Sequence, residues 1–442
     1  MTCKMQRVEF FPWSFFKNHP HPHRQLIMPK QKSNNKIEML EAGPQAHSAM
    51  DEDLLIARKI QKAMVPQCLP AVEGLEMASL YLPSGAVGGD LFDVIQLTED
   101  ILVLVIFDVA GHGVSAALIS AMAKVSFSNH IRSVTSPRTV MERVNSEMIR
   151  NISADYYLTA LVAYLDMHDN KLTYCNAGHT YPIIFKRKER TLVPLCSTGV
   201  FVGVSDKGYY EEKSVHLNPG DWLFLFTDGI YRMFKADNEL LSRKLLEKEI
   251  LKLTADGSPQ SFVASLQKRH DRRSLDDDMD DDVTAVVVEF LTQSRKNQIK
   301  EKLGFKLDDP VYLQYISYFE EMDRAAAIIL SGMDSLGYPD ESIRKMKIIL
   351  TELFANAIYH GNKGDHSKKV TVGHIINKKK ILVSIMDEGD GFDPKIIPDP
   401  TLPENLIKDC GRGLYIVHSY VDKVEFSGKG NRITVTKYHS GA

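Results

Sequence analysis

A chain of 442 residues is too long for one compact domain and calls for two or three. Its 44% hydrophobic and 25% charged residues are ordinary for folded protein, which excludes collagenous, disordered and disulfide-scaffold classes. Lys and Arg number 54 against 57 Asp and Glu, and a net charge of −3 gives no footing for nucleic-acid binding. The longest clean apolar run in the motif-bearing part, Ile101 to Phe107, falls far short of the roughly 20 residues a membrane span needs. Val8 to Phe16 is broken by Glu9, Pro12 and Ser14 and makes a poor secretory signal. Five scattered cysteines (Cys3, Cys68, Cys175, Cys196, Cys410), with no CxxC pair, fit a reducing, cytoplasmic setting.

Residues 1–50 have weak periodicity and prolines, and read as a disordered tail. His19, His21 and His23 alternate with prolines there; a metal role for them is the minor reading. Met28, Met39 and Met50 could each begin the chain. Over 51–67 the spacing of Leu55, Ala57, Ile60, Ala63 and Met64, acidic residues first and Pro66 last, predicts an amphipathic helix. It either packs on its own domain or serves as a coupling or dimerisation helix. Residues 68–292 are strand-rich, with runs at Ile101–Phe107, Tyr157–Leu165, Lys171–Cys175, Trp222–Phe226 and Val283–Phe290. Helices are expected near Val114–Arg132, Pro137–Ile152, Glu239–Thr254 and Pro259–Arg269. The polar stretch 293–304 reads as a linker to a second domain, 305–440, in which a strand and long helices precede short strands.

In the first domain, apolar strands repeatedly meet aspartate. Ile101–Phe107 runs into Asp108-Val109-Ala110-Gly111-His112-Gly113, and Trp222–Phe226 into Thr227-Asp228-Gly229. An Asp run ending at Asp281 and Asp282 feeds the strand at Val283, and Gly88-Gly89-Asp90, with Asp93 nearby, precedes them all. One such carboxylate is ordinarily a turn residue. Four converging carboxylates repel one another unless cations lie between them, and hard divalent ions with oxygen ligands suit such a set. Two ions sharing a bridging Asp can orient and deprotonate water for attack on a phosphoryl group.

VGGDLFD (Val87–Asp93), DVAGHG, NAGH (Asn176–His179), LNPGDWLFLFTDG (Leu217–Gly229) and DDVTAVVVE (Asp281–Glu289) together resemble the PPM-type metal-dependent serine/threonine phosphatases of the SpoIIE/RsbU-like branch. The resemblance implies a β-sandwich flanked by helices. It implies that Asp108 bridges two Mn²⁺ or Mg²⁺ ions with the Val109 carbonyl as a further ligand. By the same resemblance Asp228 and Asp281 hold the first metal and Asp90 the second. The match of DDVT favours Asp281, with Asp282 left as the alternative. His112 and His179 read as structural. Arg232 stands where the family usually has an acidic residue.

The second domain carries a polar stripe on an apolar helix. Ser342–Tyr359 is apolar almost all round and should be buried, yet Glu352, Asn356 and His360 recur every four residues. A buried Glu–Asn stripe is costly unless it faces a ligand, metal or water. Downstream, Lys380–Met386 runs into Asp387-Glu388-Gly389-Asp390-Gly391, and Gly411-Arg412-Gly413 opens another helix, where backbone N–H groups can receive phosphate. No GxxxxGK[ST] loop and no HRD/DFG pair is present. TELFANAIYHGN, DEGDGFDP and GRGLYIV resemble the histidine-kinase-like (GHKL) ATP-binding fold, an α/β sandwich, and within it the anti-sigma-factor serine kinases of the RsbW/SpoIIAB type. That resemblance implies Asn356 on the Mg²⁺ of ATP, Glu352 as general base and Asp387 on the adenine amino group. Gly389 and Gly391 would shape the purine pocket, and Gly411, Arg412 and Gly413 would close on the phosphates.

The fold class expected is therefore α+β in two domains of opposed chemistry. The families resembled imply a phosphorylated anti-anti-sigma (STAS) protein as substrate and a sigma factor as a further partner. A regulatory input is expected from a sensor in trans through the 51–67 helix, which is also the candidate for homodimerisation. The alternative is a second domain that binds nucleotide and partner without transferring phosphate.

Overall fold

Apolar β-type runs pair into three five-stranded sheets among the described residues. The computed structural model describes residues 44–152, 155–234, 239–274, 281–392 and 412–439. Two sheets stack in the N-terminal part. The first has the order β1 (Leu75–Leu82), β10 (Val283–Phe290), β9 (Trp222–Phe226), β6 (Ile183–Lys186), β7 (Thr191–Pro194). The second runs β2 (Leu91–Gln96), β3 (Ile101–Val109), β4 (Leu158–Asp166), β5 (Lys171–Ala177), β8 (Lys213–His216), with every named pairing antiparallel. β4 and β10 are apolar on both faces because each is covered on both sides, by the other sheet and by helices.

Helices α2 (Gly113–Ile131) and α3 (Pro137–Asn151) cover the second sheet. α3 starts where it does because Ser136 caps it, accepting from the Thr139 N–H at 3.2 Å, with Pro137 in the first turn. The short α4 (Gly229–Arg232), α5 (Glu239–Asp256) and α6 (Pro259–Ser274) pack on the first sheet, α6 against β1 and β10. The result is a four-layer sandwich whose strands β3, β9 and β10 bring their aspartate-bearing ends together.

α7 (Gln293–Leu303) occupies the stretch expected as a linker. It is a helix capped at both ends: Thr292 accepts from the Arg295 N–H, and Gly304 closes it with a left-handed φ of 77°. The C-terminal sheet follows, in the order β11 (Tyr312–Ile316), β12 (Val370–Ile376), β13 (Lys380–Met386), β15 (Arg432–Tyr438), β14 (Lys423–Ser427). α8 (Met322–Ser335), α9 (Asp340–Ala355) and α10 (Arg412–Tyr420) bury Ile329, Leu350, Leu353 and Val417 against one face. Leu303 and Phe305 cover the other. α9 was expected to be apolar all round; Ile348 is instead 44% exposed, and the helix is one-sided.

The N-terminal helix α1 (Pro44–Met64) begins earlier than expected and presents a different face. Its packed residues are Leu54, Ala57, Gln61 and Met64, at spacings of three and four. Leu55 and Ile60, set on the apolar face from sequence, are 55% and 61% exposed. The proline–histidine run His19–His23 lies outside the described residues. From Asp51 onward the chain forms one unit that contains both sandwiches.

Candidate active site

The aspartates of the N-terminal sandwich meet where β3 and β9 end and β10 begins. Asp90, just before β2, is 2% exposed, and its Oδ2 accepts from the Thr227 hydroxyl at 2.6 Å. Thr227 is itself fixed by the Thr284 N–H at 3.0 Å, so neighbouring strands set the orientation of Asp90. Asp108 lies within β3 rather than after it, opposite Thr159 on β4. Burial, then the charge of Asp108 and Asp282, raises the Asp90 carboxyl well above its usual range. Burial, then Asp228, Asp281 and Asp282, does the same to Asp108. Asp281 is raised by burial and by Asp228, and opposed by Arg232.

Asp281 and Asp282 have separate tasks. Asp282 accepts from the Ser84 N–H at 2.7 Å, the Ser84 hydroxyl at 3.0 Å, and the N–H groups of Gly89 at 2.6 Å and Asp90 at 3.3 Å. It pins the loop that carries Asp90. Gly88 must lack a side chain there, since a Cβ would stand 2.3 Å from the Asp282 carboxylate. Asp281 instead takes the Arg232 Nε at 3.0 Å. Asp93 stays outside the group, in an ion pair with Lys124. His179 is 1% exposed and hydrogen-bonds Thr159 at 2.8 Å, with burial pushing it down to about 3. It is a neutral packing residue behind Asp108's strand. Asn176 accepts from the His179 N–H at 2.7 Å, making the NAGH motif a buried turn. His112 is exposed at the N-terminus of α2.

The donors fit a divalent cation by their chemistry: all are oxygens, their negative charges are crowded together, and burial raises the cost of each. Among the described residues no three carboxylates, imidazoles or thiols stand together in a metal-binding array. Arg232 is the positive charge the structure places on Asp281.

In the C-terminal sandwich α9 gives way at Asn356 to a π-helical turn, Asn356–Gly361. Such turns are rare and recur at functional sites. Glu352 and Asn356 are half-buried one turn apart, whereas His360 is exposed. Gly413, at the start of α10, lies against them: a Cβ there would be 2.3 Å from Glu352 Oε2 and 3.8 Å from Asn356 Nδ2. Asp387 follows β13, held by its own N–H on the Asn431 carbonyl at 3.0 Å and by the Gly389 N–H on its Oδ1 at 2.8 Å. Burial raises its carboxyl. Gly389 backs onto the Gly361 carbonyl and Gly391 onto that of Lys429, so two turns close on one another behind Asp387. Gly411 lies outside the described residues, and Arg412 opens α10.

The Stage II sporulation protein E (SpoIIE) family model matches residues 98–291, and the histidine kinase-like ATPase domain model matches 319–437. The chain joins a SpoIIE-type serine/threonine phosphatase domain to a histidine-kinase-like ATPase domain. Phosphoserine phosphatase RsbU of Bacillus subtilis is 27% identical over 228 residues, 51% of this chain and 68% of that protein. Serine-protein kinase RsbW of Listeria monocytogenes is 29% identical over 117 residues, 25% of this chain and 74% of RsbW. Phosphoserine phosphatase RsbP of B. subtilis is 30% identical over 183 residues, and the chain covers 45% of its length. A crystal structure of the RsbU and RsbW domains of Rv1364c from Mycobacterium tuberculosis aligns with 84% of this chain and 96% of that one, at 21% identity and a TM-score of 0.48. No helix among the described residues is long and apolar enough to cross a membrane.

Sequence reasoning missed Gln61, 5% exposed on α1, which bonds the backbone of Gly88. It also missed Arg324 of α8, whose guanidinium reaches the carbonyls of Ala63 and Val65 at the end of α1. The signal available for Gln61 was its place seven residues after Leu54 and four after Ala57.

Proposed function

We propose that the phosphatase domain hydrolyses phosphoserine or phosphothreonine on a STAS-type anti-anti-sigma protein, and that the ATPase domain phosphorylates the same protein. The observation that carries this is the crowding of Asp90, Asp108, Asp228 and Asp281 at adjoining strand ends, where burial and neighbouring carboxylates raise Asp90, Asp108 and Asp281. Asp108 would serve both of two Mg²⁺ or Mn²⁺ ions, with the Val109 carbonyl beside it; Asp228 and Asp281 would complete one ion's ligands and Asp90 the other's. Bound there, the ions supply a water of lowered pKa and positive charge for the phosphoryl oxygens. Thr227 holds the Asp90 carboxylate, Asp282 fixes the Asp90 loop, and Arg232 keeps Asp281 from repelling Asp228 until that charge is met otherwise.

In the ATPase domain Asn356 would ligate the Mg²⁺ of ATP and Asp387 would accept from the adenine amino group. Glu352 would take the proton of the attacking hydroxyl. Gly389 and Gly391 would shape the purine wall, and Gly411, Arg412 and Gly413 would close on the phosphates. The half-buried position of Glu352 beside Gly413 supports transfer, and Glu352→Gln separates it from binding alone: phosphorylation should vanish while partner binding persists. The reading extends to a bacterial partner switch that sets sigma-factor availability in the cytoplasm, with a sensor in trans or a second copy acting on the exposed Leu55, Ile56 and Ile60.

The test of the phosphatase reading is phosphate release from a phosphoserine STAS protein with Mn²⁺. Release that disappears with EDTA and in Asp108→Asn supports it; a wild-type protein that leaves the phosphoserine intact overturns it.

A further inference from the structure

Both domains take hold of one end of α1. Arg324, in the first turn of α8, donates from Nη2 to the Ala63 carbonyl at 3.2 Å and from Nη1 to the Val65 carbonyl at 3.3 Å. The last carbonyls of a helix lack intrahelical donors and carry the negative end of its dipole, and a forked cation suits them. Cys68, four residues past the helix, packs against the apolar core of the ATPase domain, and its Sγ donates to Gln314 Oε1 at 3.5 Å. Lys62 Nζ lies 6.0 Å from the ring centre of Tyr318. The seam is also closed away from the helix, where the Tyr315 hydroxyl donates to Glu76 Oε1 at 2.9 Å and Arg295 lies 3.7 Å from Glu76 Oε2.

One turn back along α1, Gln61 reads the phosphatase domain. Its Nε2 donates to the Gly88 carbonyl at 2.6 Å, and its Oε1 accepts from the Gly88 N–H at 2.9 Å. Tyr81 donates to the same Oε1 at 3.1 Å, and Nε2 also reaches Ser120 Oγ at 3.2 Å. An amide that pairs with the N–H and C=O of one residue fixes the local path of the backbone, and Asp90 is two residues further on. Were Gln61 to leave, the buried Gly88 N–H would lose its partner and the Gly88 carbonyl would keep only the Ser120 hydroxyl at 3.4 Å.

We propose that Arg324 of the ATPase domain is a positioning residue for the phosphatase metal site: it anchors the end of α1 and thereby holds Gln61 on the Gly88–Asp90 loop. The proposal rests on the phosphatase reading above only for its consequence in catalysis. A helix end frays by a turn when its caps are lost, and Gln61 lies in that turn. The ATPase domain is then a working part of the phosphatase, and a nucleotide or partner that shifts α8 is felt at Asp90.

The test uses the full-length protein, with Mn²⁺ as probe, by titration calorimetry and by the Mn²⁺ dependence of p-nitrophenyl phosphate hydrolysis. Arg324→Ala should weaken Mn²⁺ binding about 3- to 10-fold, with Arg324→Lys between it and wild type, the scale of a lost exposed bond to a charged group. Gln61→Ala should weaken it about 10- to 100-fold, the scale of a buried peptide left unpaired. KM for the ester at saturating Mn²⁺ should not move. In the double variant the Arg324 effect should disappear into that of Gln61, since it acts through it. Unchanged Mn²⁺ affinity in a folded Arg324→Ala protein, or strict additivity of the two changes, overturns the proposal. If the wild type binds Mn²⁺ yet hydrolyses no phosphomonoester, the phosphatase reading fails while the calorimetry still decides this one. If it binds no Mn²⁺, both fall.

Discussion

On the proposed function, the two sites of this chain prepare for phosphate in opposite ways. The phosphatase domain assembles side-chain charge in advance: carboxylates on adjoining strand ends, raised by burial and by one another, with Asp282 spent on fixing the loop of Asp90. The ATPase domain assembles backbone: a π-helical turn, glycine turns packed carbonyl to Cα, and a helix start at Arg412 lying against Glu352 and Asn356. The first arrangement holds repulsion that a cation can release, so its function should be governed by metal. The second holds little charge of its own and should be governed by nucleotide.

Breaking either site should leave the other standing. Asp108→Asn removes the carboxylate at the centre of the charged group. Phosphate release should fall by about 10³-fold or more, the scale of several kcal/mol of transition-state stabilisation, while nucleotide affinity measured by fluorescence stays within twofold. Loss of nucleotide binding in that variant would mean the sites are one.

A sharper contrast comes from buried acids away from both sites. Glu289 is 4% exposed beside Glu76, its partner across the β1–β10 pair. Burial, with Glu76 second, raises it from 4.5 to about 7. The native chain therefore binds more protons than the unfolded chain between those values, and stability must fall as pH rises through that window. The loss at pH 8 is about 3 kcal/mol at most. Glu289→Gln should melt above wild type at pH 8, with the difference gone near pH 4. A constant difference across pH would show that Glu289 does not titrate there.

Asp387→Asn tests the backbone-built site. It exchanges one carboxylate acceptor for an amide beside the purine position, and ATP affinity should drop about 10- to 100-fold with phosphatase activity unchanged. The smallest effect is expected at Arg232. Arg232→Ala frees Asp281 from its ion pair and should lower the Mn²⁺ concentration for half-maximal phosphatase activity by about two- to fivefold, since an exposed pair contributes about 1 kcal/mol or less. A higher Mn²⁺ requirement would make Arg232 a supporter of the site rather than a competitor.

Much of this was legible in the sequence. The strands Trp222–Phe226 and Val283–Phe290 coincide with their apolar runs, and the aspartates that follow the first and precede the second mark themselves by bounding those runs. What escaped was decided by packing. Periodicity says that apolar residues of a helix share a face; it does not say which face is covered, and here Leu55 and Ile60 are exposed while Gln61 holds the buried position. A glutamine on a helix is outward by default, and its partner, the Gly88 backbone, is 27 residues away with nothing in composition to mark it. The stretch 293–304 was read only as a polar linker, and its helical character, with Thr292 and Gly304 as caps, went unread. The π-helical turn at Asn356 has no sequence signature and depends on tertiary contact.

The central claim is that two opposed activities share one chain. Its most direct test is the intact mass of a STAS-type protein incubated with ATP and Mg²⁺ and either the wild-type chain or Asp108→Asn. The account predicts a gain of one phosphate that is far larger with the variant, where removal no longer offsets transfer. No phosphate with either protein, alongside removal of phosphate from a pre-phosphorylated sample by wild type, would contradict it and leave the ATPase domain a binding module.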